Sequence, residues 1–255
     1  RVDGLDFEGE LEKGILKVKA VEVKAIGQRL TARGEVEIAT KRLDLTVGFD
    51  GDVGDALGRL KAAGIPIKSA IPHGAIRFPD GDFQVHAKGL LGGVIDVQAT
   101  AKRISVLGGT MGLDARAALI RHDPPLEDGK KVSVTAMDAD IHLGGIKLSS
   151  LLAMRGKKLK GMDGTLAGDI HVEGTPQSPR AKVMLGLATS REDGGKTLRL
   201  SVTGDVNSSS ADVTVALTPS DAPREASSAA RATVRVVPWL APSSATERAG
   251  GAAFG

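Results

Sequence analysis

The chain has 255 residues, a formal charge of +3 and a pI near 9.1, which is long enough to bury a sizeable core; yet only 2% of it is aromatic, Tyr and Cys are absent, and Gly numbers 33. The missing cysteines exclude disulfides and thiolate metal sites, and no run approaches the roughly 18 apolar residues of a spanning helix. Acidic and basic residues interleave, as in Glu8-Gly9-Glu10-Leu11-Glu12-Lys13, which without aromatics to stack bases argues for a solvated mixed-charge face and against nucleic acid.

From residue 5 to residue 49 the apolar residues alternate, the period of a β-strand with one wet face. Leu5, Phe7 and Leu11 alternate with acids, and Leu16 and Val18 with lysines. The phase slips near Ala20, and Val21, Val23 and Ala25 continue in the other parity, which predicts a bulge or tight turn. After a Gly27-Gln28-Arg29 connection come Leu30 and Ala32, then Val36 and Ile38 flanked by Glu35 and Glu37, then Leu43, Leu45, Val47 and Phe49. This reads as a meander. Between 52 and 64 the spacing changes to three and four through Val53, Ala56, Leu57, Leu60 and Ala63, predicting a short amphipathic helix stopped by Gly64. Past Ile65-Pro66 and Ile71-Pro72, strands are expected at 75–78 and, beyond a Pro79-Asp80-Gly81-Asp82 turn, at Phe83, Val85 and Ala87. Further strands follow at Ile95, Val97 and Ala99 and at Ile104 and Val106.

The second half repeats this grammar. Residues 113–120 and 132–137 flank a polar loop at 122–129, Ile141 and Leu143 follow, and 146–154 is a second short helical candidate. In residues 161–187 Leu166, Ile170 and Val172 share one parity and Asp169, His171 and Glu173 the other; after Gly174-Thr175-Pro176-Gln177-Ser178-Pro179, expected to form a corner of the sheet, Val183, Leu185 and Leu187 resume the alternation. Leu198, Leu200 and Val202 are expected to pair across an Asp193-Gly194-Gly195 turn, and Val213, Val215 and Leu217 form the last full strand. A repetitive β domain is thus expected over 1–218 and a low-complexity, largely disordered tail over 219–255, with at most a short edge strand at 233–237.

Chemistry-bearing constellations are weak. His73, His86, His122, His142 and His171 are scattered, none at the helical spacing of a zinc site. Asp138-Ala139-Asp140 lacks the Gly and distal Glu of a calcium loop. Gly195-Lys196-Thr197 has no first P-loop glycine, since Ser190 stands five residues before Gly195. Asp50 and Asp52 fall at turns, where Asp serves local hydrogen bonding. The chain is therefore expected not to be an enzyme and to need neither cofactor nor metal.

The pattern G-x-L-x-G-x-φ-x-φ-x-G-T-P-x-x-P followed by an aliphatic strand, here Gly164, Leu166, Gly168, Ile170, Val172, Gly174, Thr175, Pro176 and Pro179, resembles the AsmA-like superfamily, and within it the TamB (translocation and assembly module) branch. The repeat style extends over about 1–218, while the dense motif occurs once. The resemblance implies an envelope protein of Gram-negative-type bacteria, with an inner-membrane anchor and a long periplasmic β-structure curled into a groove. It also implies a part in moving phospholipid toward the outer membrane and, in the TamB branch, in assembling outer-membrane β-barrel proteins. The chain opens at Arg1 without Met, so an anchor or export signal is expected upstream.

The expected fold is all-β: an elongated antiparallel sheet curled into an open hydrophobic groove, with two short helices. The residues expected to line the groove and meet phospholipid acyl chains are Phe7, Val36, Ile38, Leu43, Leu45, Val47, Leu166, Ile170, Val172, Val183, Leu185, Leu187, Leu198, Leu200, Val202, Val213, Val215 and Leu217. Two alternatives share this periodicity. In one the faces close into a dry β-sandwich or solenoid with a structural or adhesive role. In the other an open sheet edge chaperones a β-barrel precursor by strand addition.

Overall fold

The computed structural model describes residues 2–25, 27–62, 71–122, 131–154, 162–191, 198–219 and 230–236. Four strands, β1 (Val2–Glu12), β2 (Ile15–Ala25), β3 (Gln28–Glu37) and β4 (Arg42–Asp52), lead into α1 (Val53–Ala62). Four more, β5 (Ile76–Leu90), β6 (Val94–Val106), β7 (Gly109–Arg121) and β8 (Val132–Lys147), lead into α2 (Leu148–Ala153). The chain continues through β9 (Met162–Thr175), β10 (Ser178–Arg191), β11 (Leu198–Asn207), β12 (Ala211–Pro219) and β13 (Ala230–Val236). All thirteen strands form one antiparallel sheet in sequence order. The fold is therefore all-β, a single meander with two short helices.

Short turns make this order possible. Lys13-Gly14 and Leu107-Gly108 both hold positive φ, the primed turn whose twist matches that of the strands it joins. Because the sheet is a meander, all even-numbered strands run the same way. The helices following β4 and β8 thus sit at one end of the sheet.

At that end lies the described core. Ala75, Leu107 and Ile146 are buried together, with Ile71, Val106, Leu143, Leu151 and Leu166 packed against them. The Leu107 N–H donates to the Ala75 carbonyl at 2.7 Å, and the Lys147 N–H to the Leu107 carbonyl at 3.2 Å. These two bonds tie the entry to β5, the β6–β7 turn and the end of β8. Elsewhere burial is sparse: Leu43, Ala101 and Ile104 complete the buried apolar side chains among the described residues.

The register explains the phase slips. Val18 pairs with Gly34 and Val21 with Ala32, so Lys19 and Ala20 together oppose Arg33. Likewise Lys102 and Arg103 oppose Gly112, and Gly144 and Gly145 oppose Ala167. Each is a bulge, two residues facing one, which returns the following apolar residues to the same face.

Several boundaries differ from those read in the sequence. Pro79–Asp82 does not end a strand: it is an excursion within β5, across which the register with β6 jumps from Arg77↔Ser105 to Phe83↔Ala101. This brings Phe78 and Phe83 together, with ring centroids 5.0 Å apart, and Phe49 against Phe78 at 5.4 Å. Ile104 and Val106 continue the strand of Ile95, and Ile141 and Leu143 continue that of Val132, because the bulges bend these strands without breaking them. Gly174–Pro179 is a tight hairpin in which Thr175 pairs with Ser178, not a corner. Pro179 tolerates a strand position because β10 pairs with β11 only from Arg180 onward, so its missing N–H leaves no gap in that ladder. The second helix is shorter than the 146–154 candidate, Ile146 belonging to β8. The edge strand expected at 233–237 begins earlier, as β13. The ends of the first helix beyond residue 62, the 123–130 loop, the Asp193-Gly194-Gly195 turn with Lys196 and Thr197, and residues 237–255 lie outside the described residues.

Candidate functional site

Following the pairing strand by strand gives two apolar rows crossing β1 to β12. One runs Leu5, Val23, Leu30, Phe49, Phe83, Ala101, Leu113, Ile141, Ile170, Val183, Gly204, Val213. Beside it runs Phe7, Val21, Ala32, Val47, Val85, Ala99, Ala115, Ala139, Val172, Ala181, Val206, Ala211. Directly paired residues share a face, so these rows make one continuous aliphatic wall.

The residues expected to line a groove fall on this wall with one exception. Val36 pairs with Leu43, Gly34 with Leu45, and Ala32 with Val47. On the far half, Leu166 pairs with Leu187 and Gly168 with Leu185. Leu200 and Val202 pair with Leu217 and Val215, and Leu198 with Pro219. Ile38 departs from the set: it lies past the end of β3, its N–H donating to the Gly14 carbonyl at 2.9 Å, and it is 59% exposed. The expected set names no residue between Val47 and Leu166, although one sheet was expected to run through both halves. Phe83, Val85, Leu113 and Ile141 of β5 to β8 bridge them, and their alternation was visible but cut into short pieces by the bulges.

Exposure varies across the wall. Leu5, Phe7 and Leu11 of β1 are 65, 62 and 65% exposed, whereas Val47, Val85, Ile141, Ile170 and Val183 in the interior strands are half-buried.

The opposite face is charged. One row reads Glu10, Lys17, Glu35, Asp44, Lys88, Asp96. Histidines sit against carboxylates on neighbouring strands: His86 to Asp44 at 2.6 Å, His142 to Asp169 at 2.5 Å and His171 to Asp140 at 2.8 Å. The hydrogen bond from His86, with a second from Lys88, holds the Asp44 carboxyl below its ordinary range. The hydrogen bond from Lys24 does the same for Glu22, and with a weaker one from Arg29 outweighs the opposing effect of burial. The hydrogen bond to Asp140 raises His171. Sequence reasoning placed His142 and His171 on the wet face but missed their partners, which lie 27 and 31 residues away.

Among the described residues, two groups could hold a cation by geometry: Asp52, Asp55 and His73 beside α1, and Asp138, Asp140 and His171 on β8 and β9, the ligand atoms in each lying within 4.8 Å of one another. In both the histidine is already in contact with an aspartate, His73 with Asp55 at 2.8 Å and His171 with Asp140. A hollow of about 330 Å³ opens on the charged side, where Gly48 and Ala20 leave room between Lys19, Thr31, Arg33 and Gln84. Its mixed lining sets it apart from the aliphatic rows.

No helix among the described residues is long and apolar enough to cross a membrane. Comparison with family models, with curated proteins and with solved structures returns no match.

Proposed function

We propose that this chain is part of an AsmA-like envelope protein of the TamB type, whose aliphatic wall carries phospholipid acyl chains through the periplasm between the inner and outer membranes. The observation behind this reading is the uninterrupted pair of apolar rows over twelve strands, backed by a face of mixed polar and charged residues. The glycine- and proline-punctuated motif of β9 and β10 is its second support.

Magnitudes favour a lipid over bare water on this wall. The largest apolar patch of a soluble monomer is typically about 300–600 Å², and twelve strands about 4.8 Å apart span over 50 Å. A sixteen-carbon acyl chain gains on the order of 13 kcal/mol on leaving water, at about 0.8 kcal/mol per methylene. The span is more than three times the depth of one leaflet, about half of a 30 Å hydrocarbon core. A chain could therefore slide from row to row, one Val- and Ala-lined position being much like the next. Curling of the sheet about this face would bring the two halves of the wall around the acyl chain, and the bulges in β2, β6 and β8 supply the local bends. In the intact protein an inner-membrane anchor would precede the sheet.

Mass spectrometry of the purified protein tests the reading: phospholipid is expected to co-purify. Leu185→Asp and Val215→Asp, which set a charge on the wall beside Val202, should each lower lipid loading several-fold while the protein stays folded. Absence of lipid from the native protein after incubation with phospholipid vesicles, or full loading of both variants, overturns it. A dry structural or adhesive role predicts no lipid in any of the three.

A further inference from the structure

We infer that the hollow of about 330 Å³ on the charged face is a binding site for the phosphoryl group of a soluble phosphate ester, with Arg33, Thr31 and Thr46 as its hydrogen-bond donors. The register of β3 and β4 builds it. Arg33 pairs with Thr46, and two residues along on the same face Thr31 pairs with Gly48. Directly paired side chains start about 4.5–5.5 Å apart, and alternate residues of one strand about 6.8 Å apart. Three donors thus occupy the corners of a small rectangle whose fourth corner, Gly48, carries no side chain. A Cβ at Gly48 would stand 2.6 Å from the Thr31 hydroxyl oxygen, so that hydroxyl leans into the empty corner. Opposite Arg33 the bulge of β2 sets Lys19 and Ala20 side by side. Lys19 joins the lining there, and the small Ala20 leaves it open.

These donors are uncommitted. Among the described residues neither the Arg33 guanidinium nor the hydroxyls of Thr31 and Thr46 make a side-chain hydrogen bond or ion pair. The two acids that line the hollow are opposed by other cations: Glu22 meets Lys24 at 2.7 Å and Arg29 at 3.2 Å, and Asp50 is paired across the strands with Arg29. Lys19 is shared with Glu10 at 3.5 Å and Glu8 at 3.8 Å. Arg33 therefore leaves a positive charge for a ligand. A guanidinium holds a carboxylate or a phosphate through two parallel N–H bonds. Hydroxyls at two further corners call for a third oxygen, which a planar carboxylate lacks and a phosphoryl group has. Glu8, Glu10, Glu35 and Asp44 share this face around the hollow. At separations within a Debye length they would repel an anionic bilayer, so the charge pattern fits a small soluble ester and not a lipid surface. The hollow also lies on the face opposite the aliphatic wall, out of reach of an acyl chain there.

The test is titration of the lipid-free full chain with glycerol 3-phosphate at low ionic strength, read by calorimetry and by amide NMR shifts. One saturable site is expected, with the shifts centred on residues 19–20, 31–33 and 46–48. Arg33→Gln should weaken binding by about tenfold or more, and Thr31→Val or Gly48→Ala several-fold. Arg116→Gln, an equal loss of charge on β7 of the same face, should leave binding unchanged. Both arginines are exposed, so both variants should keep the unfolding midpoint of the unsubstituted protein. Phosphatidylglycerol vesicles at matched phosphate concentration should not displace the ester. Absence of saturable binding to the unsubstituted protein, equal weakening by Arg33→Gln and Arg116→Gln, or displacement by the vesicles overturns the proposal. The lipid-loading experiment can fail without touching this one, since the two concern opposite faces of the sheet.

Discussion

The Asp52 carboxylate accepts the backbone N–H of Gly74 at 2.7 Å through one oxygen and that of Asp55 at 2.9 Å through the other. One side chain thus caps the start of α1 and fastens the far end of the excursion that returns the chain to β5. Burial pushes this carboxyl's pKa up, but the amides of Asp55 and Gly74, aided by His73, more than offset it and hold the group below its ordinary range. Asp52→Ala removes an N-cap and strands two donors, and should cost about 1–2 kcal/mol at neutral pH. A carboxyl whose folded pKa is depressed adds stability that is fully present above the unfolded value, near 3.9, and is lost as pH falls through the folded one. The gap between wild type and Asp52→Ala in urea unfolding should therefore stand at pH 7 and shrink below about pH 4. A gap that persists undiminished in acid would remove the carboxylate from this role.

Gly168 tests how tightly β9 and β10 are joined beneath the wall. It has φ +149, and a Cβ there would land on the Met184 carbonyl; Gly34 repeats the arrangement at φ +144 against the Asp44 carbonyl. Gly168→Ala must both strain the backbone and push the strands apart, costing about 1–3 kcal/mol. Gly186, on the charged face, has its nearest obstacle 3.8 Å away, the Ala167 carbonyl. Gly186→Ala should be neutral or stabilise by up to about 0.5 kcal/mol, through lost freedom in the unfolded chain. Denaturant midpoints of the two variants should move in opposite directions or by clearly unequal amounts.

These residues also mark where the sequence was legible. Alternation of Leu43, Leu45, Val47 and Phe49, or of Val183, Leu185 and Leu187, fixes both strand and face, because a period of two leaves no other solution. The slip at Ala20 could be read as a bulge for the same reason. The excursion at Pro79–Asp82 could not: Pro, Asp and Gly in succession are the residues of a turn, and only the pairing of Phe83 with Phe49 and Ala101 keeps them inside β5. One continuous wall was expected, but its residues were named only from the two ends of the chain; which residues of β5 to β8 stand beside Phe49 and Ile170 depends on register, which periodicity within a strand does not encode. The His171–Asp140 and His142–Asp169 contacts were invisible for that reason too.

His171 gives the charged face a measurable signature. Its imidazole meets Asp140 at 2.8 Å and has Glu173 at 3.8 Å on its other nitrogen. The hydrogen bond to Asp140, outweighing burial and aided by the charges of Asp140, Asp138 and Glu173, raises its pKa above 6.5. A raised folded value means the protonated pair contributes stability below the unfolded pKa, and this is lost as pH rises through the folded one. An NMR titration of the ring should show a midpoint above 6.5 in wild type that falls in Asp140→Asn. An unchanged midpoint in that variant would assign the shift to the other acids.

Truncating side chains in two places separates an open wall from a dry one. Ile104 is 1% exposed, and Ile104→Ala leaves a cavity that should cost about 2–5 kcal/mol. Val172, in the middle of the second apolar row between Ala139 and Ala181, is only half-buried. Val172→Ala removes methyl groups that water already reaches in part, and should cost under about 1 kcal/mol in lipid-free protein. Bound lipid changes that ordering, because a ligand held only by the folded state stabilises it by RT ln(1 + [L]/Kd), about 2.7 kcal/mol at a hundredfold excess over Kd. Phospholipid should therefore raise the unfolding midpoint of wild type and of Ile104→Ala alike, and raise that of Val172→Asp little or not at all. A large cost for Val172→Ala without lipid, or equal stabilisation of Val172→Asp by lipid, would show that the row is packed against protein and not open to an acyl chain.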